Sequence, residues 1–180
     1  MTRSRLMLCA WLLAVFATGS AQARGVYQTP EAFLDEIFKG APPQPRVVWL
    51  LGDIREATDE IMGHHYPGLR IRYWSKDNRS AWILDEVGKE RPITTGLVIN
   101  ENAIELVRVL EFRESRGGEV RYPFFTDQFK GTSLTDDYKI DRHIDGISGA
   151  TLSVRALKKL ARLALYLHSK TVLSDDDTSQ

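Results

Sequence analysis

The chain has 180 residues, which is enough for one domain of ordinary size with a buried core. Its composition, 43% hydrophobic and 27% charged residues, is close to that of globular proteins and excludes a disordered or fibrous chain. The 24 lysines and arginines balance 24 aspartates and glutamates, so no excess of positive charge supports binding to nucleic acid.

The N-terminal segment has the features of a secretory signal peptide. Arg3 and Arg5 precede an apolar run over residues 6–17, and the small residues that follow match the A-x-A cleavage rule. The run is shorter than the roughly 20 apolar residues that span a bilayer. We therefore expect residues 1–23 to be removed on export, with an uncleaved outward-facing anchor as the alternative. Cys9, the only cysteine, lies in this segment, so the mature chain has no disulfide and no cysteine metal site.

Residues 24–91 predict an N-terminal α/β extension. A threonine, a proline and a glutamate at residues 29–31 are typical of a helix start. A proline-rich connector and a short apolar strand over residues 47–51 follow. Asp53 and Glu56 then predict a capping box at the start of a second helix.

Apolar and turn-forming residues next predict two β-hairpins. Residues 69–74 and 81–84 flank the first turn, and residues 93–99 and 104–112 flank the second. A polar, aromatic loop over residues 116–131 follows.

The last predicted element is a long helix over residues 152–168, followed by a polar tail over residues 169–180 that we expect to be disordered. The elements together predict an α+β fold, in which an antiparallel β-sheet packs against helices and the long helix is C-terminal.

The loop directly before the long helix has the composition of an anion site. Small residues at positions 148–150 let backbone N–H groups approach a ligand closely. A helix start adds free N–H donors and the positive end of the helix dipole. These features predict a phosphate site, with an ordinary N-terminal cap as the alternative. The sequence of the loop is Asp145-Gly146-Ile147-Ser148-Gly149-Ala150-Thr151.

This loop matches, at every fixed position, the flavinylation motif of FMN-binding domains, and residues 92–168 resemble that family. Such domains occur in subunits of the sodium-pumping NADH:quinone reductase and its ferredoxin-linked relatives. The resemblance implies that FMN is joined covalently to Thr151 through a phosphoester. It also implies an exported flavin transferase, whose recognition residues would be Asp145, Gly146, Ser148, Gly149, Ala150 and Thr151.

The resemblance further indicates residues that contact the cofactor. Arg155 lies in the first turn of the helix, where a cation opposes the dipole unless a phosphate is bound. The loop over residues 114–125 is expected to lie against the flavin, although it departs from the family's common glutamate-threonine-proline-glycine form. Glu119, Tyr122 or Phe125 would face the ring, with packing in the core as the alternative for the aromatic side chains. The predicted cofactor-binding residues are Ser148, Gly149, Ala150, Leu152, Ser153, Arg155, Glu119 and Tyr122.

Other candidate sites have less support from the sequence. Residues 94–96, Thr-Thr-Gly, lie on a strand that would border the ring. The histidines at 64–65 have no further ligands at useful spacing and predict a loop, not a metal site, and the acidic pair at 85–86 predicts surface carboxylates. A basic stripe on the long helix predicts either a solvated face or a docking surface for an acidic partner or anionic lipid. The stripe consists of Arg155, Lys158, Lys159 and Arg162.

The predicted function is electron transfer by an exported flavoprotein in the periplasm or at the outer face of the cytoplasmic membrane. Its partners would be the flavin transferase and a membrane-bound redox protein. The chain has no dinucleotide fingerprint and no nucleophile elbow, so NADH binding and hydrolysis lack support. The alternatives are a periplasmic flavin-dependent reductase of a small substrate and a flavin-free binding or sensory module.

Overall fold

A computed structural model describes residues 25–176 of the chain, with side chains up to residue 171. The predicted signal peptide, residues 1–23, lies outside the described residues. Within the described part, no helix is long and apolar enough to cross a membrane.

The described chain folds into one six-stranded antiparallel sheet with four α-helices, which confirms the predicted α+β fold. The spatial order of the strands is β1-β6-β5-β4-β3-β2. Two short 3-10 helices flank α3. The elements are β1 (Gly25–Val26), α1 (Pro30–Ile37), β2 (Arg46–Trp49), α2 (Gly52–Met62), β3 (Arg70–Lys76), β4 (Arg79–Val87), β5 (Pro92–Asn100), β6 (Ala103–Phe112), a 3-10 helix (Gly118–Arg121), α3 (Pro123–Thr126), a second 3-10 helix (Asp127–Phe129) and α4 (Thr151–Asp176).

Both predicted hairpins are present. Lys76 pairs with Arg79 across the β3–β4 turn, and Asn100 pairs with Ala103 across the β5–β6 turn. Each turn therefore has two residues, a common length for a β-hairpin. Strand β1 was not predicted, since two residues are too short to show an alternating pattern.

The long helix α4 covers one face of the sheet and supplies much of the main core. Apolar side chains of α4, including Leu157 and Leu160, are fully buried with Leu97 and Ile99 of β5. Helix α2 packs beside α4 and adds Ile61 to the same cluster. Alternate residues of a strand face opposite sides of a sheet, so a second layer must cover the β5 side chains on the other face.

Helix α1 provides that second layer. Phe33 and Leu34 of α1 pack with Val98 and Leu110 from the opposite face of the sheet. The contact with the sheet is very close at Gly96, where a Cβ atom would lie 2.6 Å from Phe33 Cζ. The sheet is therefore covered on both faces at β5, which explains why its central residues are all buried.

Three predicted element boundaries require correction. Helix α2 begins at Gly52 with extended Leu51 as its N-cap, so the predicted capping box of Asp53 and Glu56 is wrong. Because Leu51 occupies the cap position, the acidic residues lie inside the helix instead. The predicted loop over residues 116–131 contains three short helical segments.

Helix α4 also continues beyond its predicted end at His168 and ends at Asp176. Thr171 is buried and its hydroxyl donates to the backbone oxygen of His168 at 2.8 Å. Since α4 continues to residue 176 and Thr171 is buried, the predicted disorder does not begin at residue 169. Residues 177–180 lie outside the described part.

Candidate functional site

The motif loop projects Thr151 at the first position of α4. The backbone N–H of Ala150 donates to Ile147 O at 3.0 Å, which closes a turn. Val154 N–H then donates to Ala150 O at 2.9 Å, which is the first helical hydrogen bond. Thr151 is exposed, and within the described part of the chain no side chain forms a hydrogen bond with its hydroxyl.

The start of α4 has no side-chain cap. Ala150 occupies the N-cap position and carries no polar side-chain atom. In the described part of the chain, no other side chain accepts a hydrogen bond from the N–H groups of Thr151, Leu152 or Ser153. These three donors and the positive end of the helix dipole are therefore available to an anion.

A cavity of about 550 Å³ lies beside Thr151. Residues 149–153 form one wall, and Glu114, Ser115 and Arg116 come from the segment after β6. Lys89, from the β4–β5 turn, also lines it. This volume is within the range of small-molecule sites, about 300–1,000 Å³, and its two cations suit a ligand that contains phosphate.

Lys89 was not among the residues predicted from the sequence. It lies in a turn far from the motif, and a buried carboxylate holds that turn in place. Glu114 accepts hydrogen bonds from the backbone N–H groups of Lys89, Glu90 (2.7 Å) and Arg91 (3.0 Å). Burial opposes ionisation of Glu114, but these three donors outweigh it and lower the pKa of the carboxyl. An isolated lysine in a turn gives no signal in the sequence that would reveal this placement.

The segment after β6 packs tightly against the start of α4. Gly117 has a φ of +82°, and a Cβ atom on it would lie 2.6 Å from Ser153 Oγ. A residue without a side chain is thus required at 117 for the loop to approach the helix. The loop that begins at Glu114 therefore forms the second wall of the cavity.

Arg155 reaches the neighbourhood of Thr151 from the other side. A smaller cavity of about 310 Å³ is lined by Thr151 and Arg155 together with Gly146, Val154 and Lys158. Arg155 does not line the larger cavity, whereas Leu152 and Ser153 do. Thr151 therefore stands between two cavities, and cationic side chains line each of them.

The structure does not bring every predicted contact residue to these cavities. Glu119 and Tyr122 are exposed and line neither of them. The Tyr122 ring instead lies 4.5 Å from the guanidinium carbon of Arg121 and stacks on Phe124 at 6.3 Å. Phe125 is buried in the core, so the packing alternative is correct for that side chain.

The remaining predicted residues lie either on the exposed surface of the motif loop or in the core. Asp145 and Ser148 are exposed on the motif loop, where another protein can reach them. Thr95 is fully buried and Gly96 packs against Phe33, so both residues lie in the core and not on a cavity.

One member of the acidic pair at residues 85–86 is buried, although the sequence predicted surface carboxylates. Glu86 is buried, with an exposed fraction of 7%, and accepts hydrogen bonds from Lys159 Nζ and His64 Nε2, both at 2.9 Å. The prediction of a surface carboxylate is therefore wrong for Glu86, which links β4 to α4. Among the described residues, no group of three or more His, Cys, Asp or Glu side chains is placed to hold a metal ion.

Comparison with known proteins agrees with this site. Residues 88–166 match the family model of the FMN-binding domain. No curated protein and no solved structure matches the chain. The match spans both the Lys89 turn and the motif loop, so the two walls of the larger cavity lie within it.

Proposed function

Residues 88–166 form a domain of the FMN-binding family, and from this premise we propose that the chain is an exported flavoprotein with FMN on Thr151. The FMN phosphate is esterified to the threonine hydroxyl. The protein acts as an electron carrier in a periplasmic or membrane-associated redox chain. Bound FMN supplies the chemistry, because a flavin accepts and releases electrons singly or in pairs.

The observation that carries this proposal is the position of the Thr151 hydroxyl. It is exposed at the first position of α4 and borders a cavity of about 550 Å³. Uncapped backbone donors and the cations Lys89 and Arg116 suit the negative charge of a phosphodiester. The residues present therefore fit the phosphate end of FMN.

Attachment requires a second protein in this account. A threonine hydroxyl is a poor nucleophile unless a base removes its proton. Within the described residues no carboxylate or imidazole accepts a hydrogen bond from the Thr151 hydroxyl. A flavin transferase would supply that base, and the exposed motif residues Asp145 and Ser148 are open to it.

We base the electron-carrier role on the exposure of Thr151 and on the proposed export. A membrane reductase would donate electrons, because the chain carries no dinucleotide fingerprint that would bind NADH. The covalent bond would keep FMN on the protein outside the cell, where a dissociated cofactor is lost.

Flavin fluorescence on a denaturing gel tests this proposal. The full chain is expressed with and without a flavin transferase, and periplasmic and cytoplasmic fractions are compared. We expect a fluorescent band only with the transferase and only in the periplasm. A control that lacks residues 1–23 should stay in the cytoplasm and remain unmodified. A periplasmic protein without fluorescence in the presence of an active transferase would contradict covalent attachment.

A further inference from the structure

A third cavity, which Thr151 does not line, has a strongly basic lining. It has a volume of about 400 Å³ and lies between the segment over residues 139–144 and α4. The segment contributes Lys139, Arg142 and His143. The helix contributes the predicted basic stripe of Arg155, Lys158, Lys159 and Arg162, so no carboxylate lines this cavity.

Among the described residues, three of these basic groups have a carboxylate partner. Lys139 pairs with Asp137, and His143 lies 3.5 Å from Asp145. Lys159 pairs with buried Glu86 at 2.9 Å.

The other four cations have no salt bridge within the part of the chain that the structure describes. They are Arg142, Arg155, Lys158 and Arg162. Arg142 contacts only the backbone oxygens of residues 130 and 131, at 3.5 and 3.4 Å. Lys158 donates to Ile144 O at 2.6 Å. Like charges around one concave site repel each other, and a bound anion removes that repulsion.

Arg162 gives independent support for a ligand. Its Nη2 donates to Ile61 O at 2.6 Å, but its Nε is buried without a hydrogen-bond partner. Buried polar groups in folded proteins are nearly always paired, so this guanidinium is short of one acceptor. Nε is too buried to meet a ligand, but Nη1 is not buried and has no hydrogen-bond partner within the described residues, so it can donate to an anion in the cavity.

We propose that this cavity binds a phosphate-bearing ligand with two or more negative charges, at a site distinct from the FMN on Thr151. Three guanidinium groups suit phosphate oxygens, because their planar arrays of N–H donors match the geometry of a phosphate. Ile140 and Ile144 add apolar surface for an organic portion. The phosphate belongs to a soluble phosphate ester or to the headgroup of an anionic phospholipid.

The phosphate of FMN itself is the competing occupant. Thr151 does not line this cavity, but the smaller cavity beside Thr151 shares Arg155 and Lys158 with it. If FMN filled both cavities, attachment of FMN would block the basic one. The two occupants are therefore distinguished by comparing protein with and without FMN.

Calorimetric titration with inorganic pyrophosphate tests the proposal. It is performed on the FMN-loaded protein and on Thr151→Ala, which cannot carry FMN. We expect saturable one-site binding to both. Arg142→Gln and Arg162→Gln should each weaken binding about ten-fold, the effect of losing one charged hydrogen bond. Arg72→Gln is the matched control, since Arg72 is exposed on β3 between two residues whose side chains face the main core.

Several results would overturn the proposal. They are absence of saturable binding, binding to Thr151→Ala that FMN-loaded protein lacks, and equal affinities for Arg142→Gln and Arg72→Gln. Arg142 is exposed, so its variant remains informative even if Arg162→Gln does not fold.

A second measurement identifies the source of the phosphate. Co-sedimentation uses vesicles of phosphatidylglycerol, with phosphatidylcholine vesicles as the control. Binding to phosphatidylglycerol alone, displaced by pyrophosphate and weakened by Arg142→Gln, assigns the site to a lipid headgroup. Pyrophosphate binding without vesicle binding assigns it to a soluble phosphate ester.

Discussion

Ala150 occupies a position where helices usually have a polar residue. Serine, threonine, aspartate and asparagine cap helix starts by accepting a hydrogen bond from the free N–H groups, and alanine is among the poorest choices. At α4 the cap position is alanine and the next residue, Thr151, is exposed. The backbone N–H donors at the start of α4 thus stay free. A residue that caps the helix poorly departs from the sequence rules for stability, and such departures are typical of functional sites.

Replacement of Ala150 with serine should therefore stabilise the protein before FMN is attached. The added hydroxyl caps α4, and we expect the free energy of unfolding to rise by about 0.5–2 kcal/mol. Urea titration of Thr151→Ala with and without Ala150→Ser measures the gain in the absence of cofactor. A loss of stability would contradict the account of an uncapped helix start.

Asp145 is predicted to matter for recognition and not for folding. Its side chain is 81% exposed, and its one salt bridge within the described part of the chain is with exposed His143 at 3.5 Å. Such surface pairs contribute about 0–1 kcal/mol. Asp145→Ala should keep the melting temperature while reducing the fraction of protein that carries FMN at least ten-fold in a timed reaction with the transferase.

The control for that experiment is Asp136→Ala, which removes another exposed carboxylate from the same domain. Normal FMN attachment to Asp145→Ala, at the rate of the control, would show that the transferase does not use this residue.

At the scale of elements, the contact between β5 and α1 leaves no room for a side chain at Gly96. A Cβ atom there would lie between 2.6 and 2.9 Å from three atoms of the Phe33 ring. Gly96→Ala should therefore lower the free energy of unfolding by about 1–3 kcal/mol through overpacking. Denaturant titration measures this loss.

A double-mutant cycle separates overpacking from strand propensity. Phe33→Leu removes the ring, so Gly96→Ala should cost less in that background than in the wild type. Equal costs in the two backgrounds would contradict the packing explanation.

The regular elements could be predicted where the pattern repeats over several residues. Helix α1, the β3–β4 and β5–β6 hairpins and the body of α4 all show such a pattern. The short elements β1 and α3 were missed, because they are too short for a period to appear. The start of α2 was misplaced since an aspartate near a helix start resembles a cap even when it lies inside the first turn.

At the scale of the whole molecule, a chain of hydrogen bonds joins α4 to the β5–β6 turn and to strand β4. The backbone oxygen of Glu101 accepts from His168 Nε2, so Nδ1 of neutral His168 accepts from the Ser80 hydroxyl at 2.7 Å. Ser80 Oγ in turn accepts from Trp82 Nε1 at 2.7 Å. A protonated imidazole would donate at both nitrogens and leave the Ser80 hydroxyl without this acceptor.

Stability should therefore fall in mildly acidic solution. Burial lowers the pKa of His168 below its ordinary value, only partly offset by its hydrogen bond to Glu101 O. The stabilisation that neutral His168 gives to the folded state is complete above about pH 6.5. It is lost as the pH falls through the lowered pKa. Urea midpoints between pH 7 and pH 5 should drop for the wild type and change less for His168→Gln. An equal change in both would exclude His168 as the cause.

The candidate site could be predicted only in part, because some of its residues meet only in the folded molecule. Thr151 and the motif loop are contiguous, so the sequence alone indicates them. Residues 139–144 come shortly before α4, but no pattern in the sequence shows that they face its basic stripe across a cavity. Lys89 comes from a distant part of the chain and meets α4 only after folding. Glu86 was misjudged for the same reason, since its partner Lys159 lies on α4.

The covalent bond at Thr151 is the central claim, and the intact mass of the protein tests it most directly. Wild type and Thr151→Ala are purified from the periplasm of a host that expresses the flavin transferase. We expect the wild type to gain the mass of FMN less one water and the variant to gain nothing. An unmodified wild type beside an active transferase, or an equal gain on Thr151→Ala, would contradict the claim.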